Sequence, residues 1–286
     1  MGTIIRDLRF GAKLLFKEKT FSATVLTTLA ICIGANVAIF SVIRTVLLEP
    51  LPYDEPDRLV SVFNSYPGAG VERASTGSVD FFFRRDGIEA FEEVAVFQGS
   101  GNTVGEPGAT EQVSSLRVSP SLLSVLRVQP ALGRNFTDDE MDVGNHQKVI
   151  LTHGYWEEQF AGSADVLGRS LRIDGEPFEI VGVLPEGFGM ANRDDVRFLL
   201  PTPFSEEQRQ IDNWHSNNFQ MVARLLPGET VERAKAQIDA LNNAMIEEWP
   251  VPNAGQILSD AGFTTVVRPY QDDLVRNVRP MLFTLW

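Results

Sequence analysis

Apolar and polar positions change rhythm along this chain. From Thr20 to Ile43 there are 24 residues without a formal charge. As a helix they span about 36 Å, enough to cross a hydrocarbon core of about 30 Å. Before them, "IIRDLRFGAKLLFKEK" sets Ile4, Ile5, Leu8, Ala12 and Leu15 along one side and most basic groups elsewhere. That is the pattern of a helix lying on a membrane surface, with a plain cytoplasmic stub as the alternative. The expected elements are therefore an amphipathic helix at 1–19 and a transmembrane helix at 20–48.

After the apolar run the rhythm shortens. "DRLVSVFNSYP", a helical stretch from Ser78 to Phe91, and "FEEVAVFQ" form one strand–helix–strand group. A second group begins with an apolar strand at Met221 to Leu226 and a turn at Pro227-Gly228. Thr230 is placed to cap the helix that follows, and Val231, Ala234, Ile238, Leu241, Met245 and Trp249 recur on one helical face. "GFTTVVRPY" completes that group. Each connection is long enough for parallel strands, or for strands placed across a small sheet.

Between the groups the texture is short strands and turns. "TEQVSSLRVS" alternates as a strand, and "KVILTHGYWEEQF" reads as a strand entering a short helix. "SLRIDGEPFEIVGVLP" reads as a hairpin turning at Asp174-Gly175. Gly182 marks a bulge or a close backbone approach. The fold class expected is α+β: a membrane helix, then a domain of two β-α-β units at 49–103 and 217–275, with a mostly-β domain inserted at 104–216. "RPMLFTLW" at the end reads as the start of a second membrane helix at 276–286, the alternative being an apolar tail docked on the body. The first of these readings expects the reading frame to continue past Trp286.

Charge orients the picture. Arg6, Arg9, Lys13, Lys17 and Lys19 outweigh Asp7 and Glu18, while the whole chain carries −13. Basic residues before the apolar run hold the N-terminus in the cytoplasm and send the body outside. The apolar run is too long for a cleaved signal, whose centre is roughly 7 to 15 residues. An acidic body repels nucleic acid. The single cysteine, Cys32, excludes an internal disulfide framework.

Within the membrane run, Ala30, Gly34 and Ala38 lie four apart and make a smooth ridge for another helix. Asn36 is polar at membrane depth and favours a neighbouring helix or cavity over lipid. Small residues are common in any membrane helix, so the ridge alone leaves both readings open.

Motifs for chemistry are missing. His146, His153 and His215 have no metal-ligand spacing among them, and His153 with Glu157 is a weak pair. "DDEMDVGN" fails as a calcium loop: Val143 occupies the glycine position and Val149 that of the closing acid. It reads instead as a solvated loop, or as Asp138 capping a helix. There is no GxSxG motif, and "PGAGVER" lacks the Lys-Ser/Thr of a phosphate loop. The sequence points to no catalytic residue, metal or cofactor.

With these residues in view, the chain resembles the MacB-like permeases of ABC transporters, and more closely the acidobacterial duplicated orphan permeases. The resemblance rests on "GANVAIFSVIRTVLLEPLPYDEPDRLV", "SPSLLSVLRVQPALGRNFTDDE", "VILTHGYWEEQF" followed by "VLGRSLRIDGEPFEIVGVLPEGF", and "RPMLF". It implies a first membrane helix and a periplasmic body whose β-α-β part is porter-like and whose inserted part is sabre-like. It implies Gly133 and Gly168 at turns, Pro185 and Gly187 ending a strand, and Trp156 filling a core. It implies a protein of the bacterial inner membrane that couples ATP hydrolysis by a separate ABC ATPase subunit to export or mechanotransmission. Further partners implied are a second permease copy or internal duplicate, a periplasmic adaptor with an outer-membrane channel, and the lipid bilayer. The alternative is a membrane-anchored periplasmic binding or adaptor module without transport activity.

Overall fold

A computed structural model of the chain describes residues 10, 17–43, 51–190, 193 and 195–276. Apart from Phe10, the expected surface helix before Lys17, the end of the first membrane helix at 44–48 and the second helix after Arg276 lie outside the described residues. The chain divides into two units, Met1–Pro50 with Val275–Trp286 and Leu51–Leu274.

The first unit contributes α1, Lys19–Ile43. Its uncharged, proline-free stretch has no competing turn signal, and Lys19–Ala38 has a mean hydropathy of 1.7, long and apolar enough to cross a membrane. Thr24 and Thr28 return their hydroxyls to the carbonyls of Thr20 and Thr24, at 3.0 and 2.9 Å. Those bonds satisfy the hydroxyls without a partner outside the helix.

The second unit is built on β1 (Leu59–Tyr66), β2 (Val71–Ala74), α2 (Ser78–Gly87), β3 (Phe91–Glu106), β4 (Ala109–Val118) and α3 (Leu122–Leu126). There follow β5 (Leu132–Gly133), β6 (Lys148–Leu151), α4 (His153–Phe160), β7 (Ser170–Ile173), β8 (Glu176–Val183) and β9 (Val196–Pro201). The chain closes with α5 (Glu206–Arg209), β10 (Gln220–Leu225), α6 (Val231–Glu248), α7 (Ala254–Asp260), β11 (Thr264–Pro269) and α8 (Tyr270–Val275).

Four strands run in the order β11-β1-β10-β3, all antiparallel to their neighbours. The strands of each β-α-β group are therefore parallel but never adjacent: β10 lies between β1 and β3, and β1 between β10 and β11. This interleaving is the split arrangement of ferredoxin-like folds. It also explains the near-continuous apolar runs in β1 and β10, which are central strands covered on both faces. On one face Val60, Val62, Val94, Val96, Met221, Ala223 and Val267 pack against Phe81 and Phe82 of α2 and Ala234 and Ile238 of α6. Thr230 caps α6 by accepting from Arg233 N at 3.2 Å.

The opposite face, with Leu59, Ala95, Phe97 and Val222, shares a core with α3 and with Leu116, Ile150, Val181 and Leu199. β3 runs unbroken through residues 103 and 104, so its first half pairs with β10 and its second with β4. From there hydrogen bonding passes β3-β4-β9-β6-β8-β7 and returns to β3 at Val104↔Ile173. Six strands thus close on themselves around Val104, Leu151, Ile173, Phe178, Ile180, Phe198 and Leu200.

Two sequence signals explain that closure. Asp174 and Gly175 are both left-handed, φ 51° and 87°, as a two-residue hairpin requires. Asp174 also accepts from Thr103 N at 2.7 Å and from Asn102 Nδ2 at 2.5 Å, fastening the hairpin tip to β3. At Gly182 the register slips, Val149 facing Ile180 while Ile150 faces Gly182. A Cβ there would lie 2.6 Å from Arg134 O, so the bulge and the close approach coincide.

Candidate functional site

The body holds the two ends of its own chain in one place. Leu51 and Tyr53 at the start, and Tyr270 and Leu274 at the end, all join the core between the four antiparallel strands and α3. Tyr53 donates its hydroxyl to Gly189 O at 3.0 Å. Burial pushes the Tyr270 phenol well above its ordinary range, so it stays protonated. Asp273, almost fully buried, takes both guanidinium nitrogens of Arg73 at 2.7 and 2.9 Å, and Arg73 in turn covers the ring of Phe63 at 4.0 Å.

Three arginines grip the lead-in segment 51–58. Arg224 is the only charged residue of β10 and has no solvent exposure. Its Nε donates to Val125 O at 2.7 Å, Nη1 to Glu55 O at 3.1 Å and Nη2 to Asp54 O at 2.9 Å. Burial lowers its pKa most, helped by the nearby Arg127 and Arg58; an arginine keeps its charge regardless. The three carbonyl dipoles stand in for the carboxylate that a buried cation would otherwise need.

Around that cradle Arg58 donates to Leu225 O at 2.8 Å and pairs with Glu55 at 2.5 Å and with Glu92. Arg127 pairs with Asp54 at 2.8 Å, with Glu55, and with Glu92 at 3.3 Å. Its hydrogen bond lowers the pKa of Asp54. Both Glu55 and Arg127 adopt left-handed backbone, φ 45° and 55°, which costs a non-glycine residue about 1–2 kcal/mol. The outer ion pairs are partly exposed and weak individually; the buried Arg224 cradle dominates. Mechanically, the arrangement fixes the backbone of 54–55 to a central strand.

A second polar system lies between α2 and the far end of β1. Asp80 and Arg84, both buried, pair at 2.8 Å. Asp80 also accepts from Trp214 Nε1 at 3.0 Å and Asn64 Nδ2 at 2.9 Å. Arg84 donates to Asn64 Oδ1 at 2.9 Å and Thr265 Oγ1 at 3.0 Å. Such a network fixes one arrangement of strand, helix and returning loop.

The membrane-helix residues named from sequence sit on α1 as follows. Ala30, Gly34 and Ala38 form one exposed stripe, and a Cβ added at Gly34 would meet nothing within 4 Å. Asn36 lies about 200° round the helix from Gly34, and its amide donates to Cys32 O at 2.9 Å. The stripe and the asparagine thus occupy different sides of the helix.

The histidines stay apart in role: His153 begins α4 with its ring 5.2 Å from Trp156, and Gly144 N donates to His146 Nδ1 at 3.3 Å. Among the described residues no group of three or more His, Cys, Asp or Glu could hold a metal. The acidic loop serves local structure. Glu140 accepts from Thr137 N at 2.9 Å and from Arg134 at 2.7 Å, so Thr137, rather than Asp138, holds the cap position of the turn Asp138–Met141. Arg224, Arg58 and Arg127 were not singled out from the sequence. The signal available was a lone arginine inside an apolar strand.

Residues 22–241 match the family described as the MacB-like periplasmic core domain. The chain is 24% identical over 214 residues to the macrolide export ATP-binding/permease protein MacB of Wolinella succinogenes, covering 71% of this chain and 32% of that protein. It thus spans roughly a third of the length of that curated relative. Among solved structures, a domain of a protein described as a permease from Porphyromonas gingivalis aligns with a TM-score of 0.52 at 16% identity, over 76% of this chain and 92% of the other. The periplasmic region of MacB from Actinobacillus actinomycetemcomitans aligns with a TM-score of 0.47 at 12% identity, over 85% and 98%.

Proposed function

Because the chain belongs to the MacB-like periplasmic core domain family, we propose that it is the first membrane helix and periplasmic body of an inner-membrane ABC permease that transmits motion. A periplasmic domain of this family is not itself catalytic, and its partners are those of ABC transporters. In our reading, ATP is hydrolysed by a partner ABC ATPase, membrane helices move, and the body converts that motion into opening and closing outside the membrane. Export and mechanotransmission are both served by that motion. The more specific likeness to duplicated orphan permeases is part of this proposal, as are a second permease copy or internal duplicate and a periplasmic adaptor with an outer-membrane channel. Division of the body into porter-like parts at 49–103 and 217–275 and a sabre-like part at 104–216 belongs to it too.

One observation carries the reading. Arg224 ties the backbone of Asp54 and Glu55 to the middle of the four-stranded sheet, while Tyr53 and Tyr270 enter the same core. A displacement of the chain at residue 51 cannot be absorbed by a slack linker before it reaches β10. In the membrane, the stripe of Ala30, Gly34 and Ala38 is the face we assign to another helix of the permease, and the self-bonded Asn36 is assigned to a polar neighbour through its carbonyl oxygen.

The test is isolation of the full-length protein from its own membranes with identification of bound polypeptides. Recovery of an ATPase bearing a phosphate loop, with ATPase activity altered by the permease, supports the reading. Repeated isolation without one supports an anchored binding or adaptor module instead.

A further inference from the structure

We propose that His215 is an acid-sensitive latch that fastens the segment returning from the closed strands, residues 211–217, to the four-stranded sheet. The carrying feature is a hydrogen-bond chain with a forced direction. Arg84 is donor-only, and it donates to Asn64 Oδ1 at 2.9 Å. The amide nitrogen of Asn64 must therefore face the other way, donating to Asp80 Oδ2 at 2.9 Å and to Asn217 Oδ1 at 3.1 Å. That bond orients Asn217, whose nitrogen donates to Tyr66 Oη at 3.0 Å. The Tyr66 hydroxyl is left with its proton free to donate, and it lies 2.6 Å from His215 Nδ1. His215 Nδ1 must accept, so the imidazole is neutral with its proton on Nε2. That nitrogen is buried and has no hydrogen-bond partner among the described residues.

Protonation of Nδ1 puts two donors face to face. The Tyr66 oxygen already receives Asn217, so its own hydrogen would have no acceptor and the chain would break at its last bond. The ring is enclosed by Trp214, Trp249 and Phe263, with centroids at 4.1, 4.8 and 4.8 Å, and by Tyr66 at 5.8 Å. Aromatic faces attract an imidazolium, yet they offer no acceptor for its second N–H. The charged groups acting on the ring come from α2: Asp80, which favours the cation, and Arg84, which opposes it. From β1 the titratable group is Tyr66. Trp249 after α6 and Phe263 before β11 present uncharged rings, while Glu247, Glu248 and Asp212 are exposed. Burial is the leading cause of a His215 pKa lowered to about 4. The residue also holds φ 67°, a conformation the segment can relax once the ring is released.

The open segment binds a proton near pH 6.5 and the closed one only near 4, so acid favours opening within that window. The experiment is hydrogen exchange of residues 209–219 in the full-length protein in detergent, from pH 7.5 to 4.5, corrected for intrinsic rates. The opening constant of the wild type should rise about tenfold per pH unit below about 6.5, and that of His215→Gln should stay flat. Equal pH dependence in both would overturn the latch. Should His215→Gln fail to fold, imidazole NMR titration of the wild type decides: a midpoint below about 5.5 is expected, and one at or above about 5.5 refutes it. Tyr66→Phe, which removes the opposing donor, should raise that midpoint, and an unmoved midpoint would also count against the proposal.

Discussion

The guanidinium of Arg224 donates to the backbone oxygen of Asp54 at 2.9 Å, joining a central strand to a segment 170 residues earlier. The same side chain holds Glu55 O and Val125 O. Arg224→Met should therefore orphan buried carbonyls at about 1–3 kcal/mol each, and about 3 kcal/mol overall once the segment relaxes toward water. Arg224→Lys should recover little, because one ammonium cannot reproduce the planar fork. Denaturant midpoints of the three proteins check this.

How much of this was legible beforehand differs by element. α6 was legible because Ala234, Ile238 and Met245 repeat at helical spacing and are buried as that spacing requires. The hairpin was legible because Asp174-Gly175 is a two-residue turn with a single favoured geometry. The interleaving of β1, β10, β3 and β11 was not, since the same alternating strands satisfy several pairing orders. Nor was the Arg224 cradle: its ligands are carbonyls, and carbonyls carry no residue identity. The buried pair Asp80–Arg84 was hidden in "DFFFRRDG", where Arg84 and Arg85 look alike although only Arg84 faces inward.

Asp174 closes the ring of six strands by bonding to Asn102 and Thr103. Asp174→Ala removes both acceptors and places an ordinary residue at φ 51°, so a loss of about 2 kcal/mol is expected. Asp174→Asn keeps one acceptor and a residue tolerant of that backbone, and should lose less. Exchange protection in 170–178 should fall in the same order.

Two glycines should respond oppositely. Gly182→Ala drives a Cβ to 2.6 Å from Arg134 O, an overlap that costs typically about 1–3 kcal/mol. At Gly34 an added Cβ meets nothing within 4 Å among the described residues, so Gly34→Leu should leave the fold intact. If the Ala30–Gly34–Ala38 stripe is a helix interface, Gly34→Leu should weaken association of the permease helices, measured by cross-linking in membranes.

Acid should act in two separate windows. The His215 pKa is lowered to about 4, so its stabilisation is full above the unfolded value near 6.5 and falls away as pH drops toward 4. The Asp54 pKa is also lowered, by its hydrogen bond with Arg127, but for an acid that stabilisation persists above the unfolded value near 3.9 and is lost only below it. Denaturation measured from pH 8 to 3 should show an early decline abolished by His215→Gln and a later one diminished by Asp54→Asn.

We expect motion of the membrane helices to reach the periplasmic body through the Arg224 clamp. The direct measurement places a spin label at Glu176, exposed in the hairpin, in the full-length permease with Cys32→Ser, reconstituted with its ABC ATPase. Distances between copies are recorded with and without a non-hydrolysable ATP analogue. The wild type should show a nucleotide-dependent shift that Arg224→Met abolishes while the ATPase stays bound. An unchanged distribution in the wild type, or an undiminished shift in Arg224→Met, would contradict it.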